Sequence, residues 1–359
     1  MKKIKIGIIG TGFTIGVAKG HISAYKACPE AEITAFYDVL PERAEKYKKD
    51  LNMEKVKICS SLAEFFNEVD ALSICVPNNK HFETAKAAVD ANRHFICEKP
   101  LSINYTEGKR LVDYVRGHSN KVIAMVGFNY RDIPAIRYMK HLVDDGKIGR
   151  IYSCIQQLGG SRIADPANVK REWRMDKEQS GAGSLLDFGS HMLDLADYLL
   201  AEKNGRIVQV QCLKNTFITE RFSIEGGGSL PVTNDDCAVF TGITEKGTLC
   251  SFHSCRIGMP FQSLQITGEG GILLFNSAEP EKIGMQLKEK SGGYTGPLEY
   301  KEIPEEFFGR EGHKGLIMDF LKAIQGDACA DREIERGLFI QNLLDKIGEA
   351  SVTGGKISV

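Results

Sequence analysis

The chain lacks any run approaching the ~20 consecutive apolar residues needed to cross a bilayer, so a membrane-spanning role is not expected. It also lacks an excess of either charge: 46 Lys and Arg stand against 47 Asp and Glu, for a formal net charge of -1. With no single-sign field and no long Lys/Arg block, a nucleic-acid backbone is not expected as the main partner. The ten cysteines lack the spacing of a disulfide framework. Cys59, Cys75, Cys97 and Cys212 instead lie inside apolar segments, which predicts reduced, buried thiols and a cytoplasmic protein. No internal repeat and no low-complexity tract breaks the sequence. The opening "MKKIKIGIIGTG" has charge followed by apolar residues, as an export signal does. It breaks at Gly10 and Gly12 with no small-residue cleavage site after it, and therefore reads as a first β-strand.

What is present is an ordinary globular composition, 42% hydrophobic over 359 residues, enough for about two or three domains. "IKIGIIG", "AEITAFYD", "ALSICVPN", "HFICEKP" and "KVIAMVGF" are short β-rich apolar runs. Between them stand helical patterns: residues 14–27, "PERAEKYKKDLN" opened by Pro41, "KHFETAKAAVDAN" and "YTEGKRLVDYVRGH". Strands alternating with helices at these intervals predict an α/β domain with a doubly wound parallel sheet. Beyond about residue 126 the texture changes. A helix stopping near Gly146 and another over 187–200 are followed by strands with turn signals between them, including Glu245-Lys246-Gly247. This pattern predicts an α+β domain on a large, mainly antiparallel open sheet. The domains are expected at 1–126 and 127–359, with the C-terminal helix a candidate to pack back on the first.

"GIIGTGFTIG" follows a strand and enters a helix, the context required of a phosphate-binding turn. Gly10 suits the tight turn, Gly12 lets backbone approach a pyrophosphate, and the helix N-terminus offers free N–H groups. Gly16 falls one residue late for G-x-G-x-x-G, so the third position is Ile15 or the loop carries an extra residue. Asp38 ends the second strand, where a carboxylate accepts hydrogen bonds from ribose hydroxyls and repels a 2′-phosphate. No Arg follows immediately, which favours NAD over NADP. The alternative is that Asp38 only caps the helix beginning at Pro41.

Lys99 stands at the carboxyl end of a predicted parallel strand, the side on which such sheets hold ligands. Pro100 restricts its backbone. Asp187 and His191 are four apart at the start of a predicted amphipathic helix, on one face. A carboxylate that orients an imidazole makes a general base. Asp187-Phe188-Gly189 imitates a kinase metal-binding triplet, but no other kinase feature accompanies it. Cys250, His253 and Cys255 have the chemistry of zinc ligands, yet strand alternation sends Cys250 to the opposite face. No metal is expected.

With these residues in view, the chain resembles the Gfo/Idh/MocA family of NAD(P)-dependent oxidoreductases, which includes glucose–fructose oxidoreductase and inositol dehydrogenases. The likeness runs from "GIIGTGF" through Asp38, "CVPNNKHFETAKAAVDANRHFICEKPLS" and "VGFNYR" to "EWRMDKEQSGAGSLLDFGSHMLDLADYLL". It implies a Rossmann first domain, a catalytic group of Lys99, Asp187 and His191, and cofactor contacts from Gly10, Gly12, Phe13, Thr14, Ile15, Asp38, Pro77, Asn78, His81, Glu98 and Lys99. It further implies a substrate pocket lined by Tyr130, Arg131, Trp173 and Arg174 with the catalytic three. The expected activity is hydride transfer between NAD and a secondary alcohol or ketone of a sugar, glycoside or cyclitol. The alternatives are a non-catalytic NAD- or sugar-sensing regulator, or glycoside cleavage through transient oxidation. A homodimer or homotetramer through the C-terminal sheet is expected.

Overall fold

The computed structural model describes residues 3–12, 16–224, 226–288, 296–327 and 332–359. It divides into two compact units, Met1–Asp132 with Arg310–Gln341, and Ile133–Gly309 with Asn342–Val359.

In the first unit, β1 (Ile4–Ile9), β2 (Ala31–Tyr37), β3 (Lys57–Ile58), β4 (Ala71–Ile74), β5 (His94–Cys97) and β6 (Ala124–Val126) form a parallel sheet in the order β3-β2-β1-β4-β5-β6. The crossovers carry α1 (Val17–Lys26), α2 (Pro41–Asp50), α3 (Leu62–Glu68), α4 (His81–Asp90) and α5 (Tyr105–Gly117). The central strands are covered on both faces, which is why they read as continuous apolar runs rather than alternating ones; β4 is buried at every position. The order reverses between β1 and β4, and such sheets bind ligands beyond the carboxyl ends of their strands at that reversal.

The first unit does not stop at β6. Asp132 ion-pairs with Arg332 at 2.7 Å and Arg310 at 3.6 Å, and Arg332 also donates to the Phe128 carbonyl. These buried pairs carry the unit boundary beyond 126 and tie in a returning segment. That segment holds α10 (His313–Gln325), whose Leu316, Ile317, Phe320 and Leu321 enter one core cluster with Ile22 and Tyr25 of α1. The helix α11 (Ile334–Thr353) follows it.

The second unit opens with α6 (Pro134–Asp144) and β7 (Ile151–Gly159). After α7 (Lys177–Ser180), α8 (Ser184–Asp187) and α9 (Gly189–Asn204) come β8 (Ile207–Asn215), a small pair β9 (Glu220–Phe222) and β10 (Ser229–Pro231), then β11 (Cys237–Thr244), β12 (Leu249–Cys255), β13 (Phe261–Gly268), β14 (Gly271–Asn276), β15 (Lys282–Leu287), β16 (Glu299–Glu302) and β17 (Ile357–Ser358). Nine of these strands form a sheet in the order β16-β15-β14-β13-β7-β12-β11-β8-β17, antiparallel except between β7 and β12. Helices α6 and α9 pack on one face. There Phe240 and Phe252 stack with ring centroids 4.7 Å apart. Strand alternation puts Cys250 into this core while His253 faces outward. The expected hairpin turn joins β11 to β12, with Gly247 at φ +87°.

One element differs from expectation. The amphipathic helix predicted from residue 187 is two helices, α8 and α9, meeting at Phe188. The longer one is buried at most of its positions, from Gly189 through Asp197 without a break, so it has no wide solvent face. It is sandwiched by α6 on one side and the strands β7 and β12 on another.

Candidate functional site

In the first unit the glycine turn leaves β1. Gly10 adopts φ +88°, and a Cβ there would stand 2.6 Å from the Cys75 carbonyl oxygen. At Gly12 no atom of the described residues lies within 4 Å of a Cβ position, which leaves backbone available where a phosphate must approach. Gly16 adopts φ +68° and caps α1, while Phe13, Thr14 and Ile15 lie outside the described residues. Asp38 is nearly buried at the end of β2. One carboxylate oxygen accepts from the Thr11 amide at 2.7 Å and the Thr11 hydroxyl at 2.9 Å. Its other oxygen accepts from the Leu40 amide at 3.0 Å, just ahead of α2. The capping alternative is thus part of the geometry, and the same carboxylate fixes the glycine turn. An open backbone at Gly12 together with an oriented carboxylate at the end of β2 fits a dinucleotide.

Beyond β4, Pro77 and Asn78 lead into a 3-10 turn, with Asn78 almost fully buried. His81 is wholly buried and its ring nitrogens face the Pro100 carbonyl at 2.9 Å and the Val76 carbonyl at 3.1 Å. Burial lowers its pKa below the usual histidine range, although both carbonyls favour the charged form. Its ring therefore braces the segment after β4 against the one after β5.

Lys99 is half-buried at the carboxyl end of β5, and the Lys99–Pro100 peptide is cis. Glu98 beside it faces inward. His21 Nε2 lies 2.8 Å from Glu98 Oε1, and His21 Nδ1 lies 2.9 Å from the Ser73 hydroxyl, which meets the Tyr25 hydroxyl at 3.0 Å. His313 Nε2 is 3.9 Å from the same Glu98 oxygen. Two glycines make room: a Cβ on Gly127 would stand 2.6 Å from Glu98 Oε1, and one on Gly20 would stand 2.4 Å from His313 Nδ1. Donor atoms of His21, Glu98 and His313 all lie within 4.8 Å of one another. The shortest of these contacts is the His21–Glu98 hydrogen bond, which engages the carboxylate inside the unit. Tyr130 and Arg131 lie on the 3-10 turn Asn129–Asp132, with Arg131 almost fully buried.

In the second unit, Trp173 and Arg174 occupy the 3-10 turn Trp173–Met175, with the guanidinium 4.2 Å from the indole centroid. Glu172 pairs with Arg162, and Arg171 with Asp176 at 3.1 Å. Asp187 ends α8, half-buried, and His191 lies in the first turn of α9, 6% exposed. Backbone hydrogen bonds from Phe188 to Ser184 and from Met192 to Phe188 carry the helical ladder across the junction. The Gln156 amide of β7 donates to the Met192 carbonyl at 2.9 Å, holding α9 beside its imidazole. Asp187 and His191 therefore belong to a continuous helical path, although not to one regular helix. Reading by motif overlooked His21, Gln156, Asn234 and Asp235. The one available signal was the polar run "TNDD" ahead of an apolar strand.

The comparisons with known proteins agree with this fold. A family model described as oxidoreductase family, NAD-binding Rossmann fold, matches residues 4–128. A second, described as GFO/IDH/MocA C-terminal domain, matches residues 136–274. Levoglucosan dehydrogenase from Pseudarthrobacter phenanthrenivorans is 33% identical, covering 100% of this chain and 99% of its own. Glucose-6-phosphate 3-dehydrogenase from Bacillus subtilis is 31% identical, covering 99% and 98%. A solved structure of levoglucosan dehydrogenase in complex with NADH and levoglucosan is 27% identical, with a TM-score of 0.86 and coverage of 100% and 99%.

Proposed function

The chain belongs to the Gfo/Idh/MocA oxidoreductase family, and on that premise we propose that it oxidises a secondary hydroxyl of a sugar, glycoside or cyclitol, reversibly and with NAD. The observation that carries this reading is the anchored Asp38 beside the glycine turn, where Gly12 meets no neighbour among the described residues, accompanied by Lys99, Asp187 and His191 on ordered elements. NAD, when bound, supplies the hydride acceptor. His191 takes the hydroxyl proton, and Asp187 orients the imidazole and stabilises its charged form. Lys99 donates a hydrogen bond to the reacting oxygen and favours the alkoxide character that develops there. Trp173, Arg174, Tyr130 and Arg131 contact the sugar.

NAD is preferred over NADP because Asp38 is a carboxylate where a 2′-phosphate would sit, and its two oxygens are held in place by Thr11 and Leu40. Glu98 and His81 serve the cofactor side by bracing the segments that carry Lys99 and Asn78, their own polar atoms being engaged inside the unit. The chain works in the cytoplasm as a homo-oligomer associated through the open face of its nine-stranded sheet.

The test is absorbance at the NADH band with a panel of D-glucose, methyl glucoside, levoglucosan and myo-inositol, with NAD and NADP compared. Lys99→Ala and His191→Ala each lose turnover by roughly 100- to 10,000-fold while NAD binding stays measurable. Unchanged rates in both variants would sink the assignment.

A further inference from the structure

Asp187 and His191 lie on α8 and α9, whereas Trp173 and Arg174 lie on an earlier 3-10 turn of the same unit. The chain between them passes through Gly181, Ala182 and Gly183, which have almost no side chain to define a path. The path is defined by a dipeptide far along the chain. Asn234 and Asp235 immediately precede the aspartate that leads into β11, and both are almost fully buried, 5% and 4% exposed.

Asp235 receives three backbone N–H groups at the start of α8. Gly183 donates to Oδ1 at 3.0 Å, Leu185 to Oδ2 at 2.8 Å, and Ser184 to the Asp235 carbonyl at 2.8 Å. These are amides at a helix start that have no partner inside the helix. The approach requires glycine, since a Cβ on Gly183 would stand 1.8 Å from the Asp235 carbonyl oxygen. Asn234 reaches the other way: its amide donates to the Arg174 carbonyl at 2.7 Å and the Ser180 hydroxyl at 2.8 Å. Arg256 binds the dipeptide from behind, donating to the Asn234 side-chain oxygen at 2.9 Å, the Asp235 carbonyl at 2.8 Å and the Arg174 carbonyl at 2.9 Å.

We propose that Asn234 and Asp235 are positioning residues that hold the Arg174 turn and the start of the Asp187–His191 helices in one register. The inference rests on the roles given to those residues above and adds what places them. Charge-assisted bonds to a buried carboxylate are stronger than neutral ones, and losing one leaves a buried N–H without a partner. In Asp235→Asn, an amide N–H faces one of the two α8 amides donor against donor, so the start of α8 must shift. A displacement of about 1 Å in a reacting group is enough to cost on the order of 100-fold in rate.

Asp236 provides the comparison. It is equally buried and also accepts two backbone N–H groups, from Phe217 at 2.9 Å and Ile218 at 2.8 Å, on a segment that carries none of the assigned residues; its other oxygen lies 3.7 Å from Arg256, a contact it shares with the dipeptide. A merely structural role predicts the same outcome for both aspartates. Positioning predicts that Asp235→Asn lowers kcat roughly 10- to 100-fold, with the NAD dissociation constant unchanged, while Asp236→Asn lowers the unfolding midpoint and leaves kcat within about 2-fold. Asn234→Ala, a second variant in case Asp235→Asn does not fold, raises the KM for the sugar more than it lowers kcat. The four variants Asp235→Asn, Asp236→Asn, Asn234→Ala and His191→Ala are measured with the panel sugar that wild type turns over fastest. Equal kcat in the two Asp variants, or an Asn234→Ala variant with wild-type KM, overturns the proposal. If Lys99→Ala and His191→Ala both keep wild-type turnover the site assignment fails, and if wild type turns over no sugar of the panel the proposed function fails; in either case the positioning claim goes with it.

Discussion

Burial by itself would raise the pKa of the Glu98 carboxyl. The His21 hydrogen bond, with the charges of His21, His313 and Lys99, outweighs that cost and holds it down at about 2. His313 is depressed as well: burial, then repulsion from His21, brings it to about 4 against the partial opposition of Glu98. Both folded-state values lie below the unfolded ones of 4.5 and 6.5, so the unfolded chain binds more protons as the medium is acidified. The His313 contribution is complete above pH 6.5 and is lost as pH falls through about 4. The Glu98 contribution is complete above 4.5 and is lost toward about 2. Urea midpoints measured from pH 7 down to pH 4 fall steadily in wild type, and His313→Asn flattens that limb. An unaltered slope in the variant would show that His313 is not the titrating group. At this scale Lys99, Asp187 and His191 are the candidates that motif, spacing and family resemblance supplied. His21 and His313 were not, because nothing in a sequence marks a lone histidine as the partner of a glutamate distant in the chain.

Elements were legible where burial leaves a pattern. The strands β1, β2, β4, β5 and β6 show as apolar runs, and β7, β8, β11 and β12 as alternation, because one or both faces are covered. The strand β16 is exposed at all four positions, so no apolar period announces it; it exists by pairing with β15. The helix α3 went unread although its start was signalled. The Ser61 hydroxyl accepts from the Glu64 amide at 3.2 Å, and the Glu64 carboxylate reaches back to the Ser60 amide at 2.8 Å, a variant of the capping box. Replacing Ser61 with Ala costs about 1 kcal/mol. It is read as a lower urea midpoint with an unchanged m value and unchanged kcat. The division of the predicted helix at Phe188 was invisible because α9 is buried at polar positions such as Ser190, His191, Asp194 and Asp197 as well as apolar ones, so its residue types do not trace its packing.

For the whole molecule, one face of the second unit's sheet carries exposed apolar side chains among the described residues. Leu213 is 75% exposed, Val239 46% and Leu249 60%. Val239 is in register with Leu213 on one neighbour and His253 on the other, so these side chains form a continuous surface across β8, β11 and β12. Exposed apolar side chains adjacent on one sheet face are what the proposed association would bury. Light scattering is expected to give a mass that is a multiple of the chain. The double variant Leu213→Glu, Val239→Lys falls to monomer mass with its far-ultraviolet circular dichroism retained. An oligomer that survives the double variant would place the interface elsewhere.

The sequence by itself determined the succession of parallel and antiparallel sheets, the glycine turn with Asp38, and the candidates Lys99, Asp187 and His191. All of these are written in local periodicity or in spacings of a few residues. Tertiary structure alone decided that residues 310–341 return to the first unit, that Glu98 lies between two histidines, and that Asp235 grips the start of α8 while Asn234 holds the Arg174 turn. The reason is physical. A buried polar group must find a partner, but its sequence shows only that it is polar, and the partner is chosen when distant segments pack.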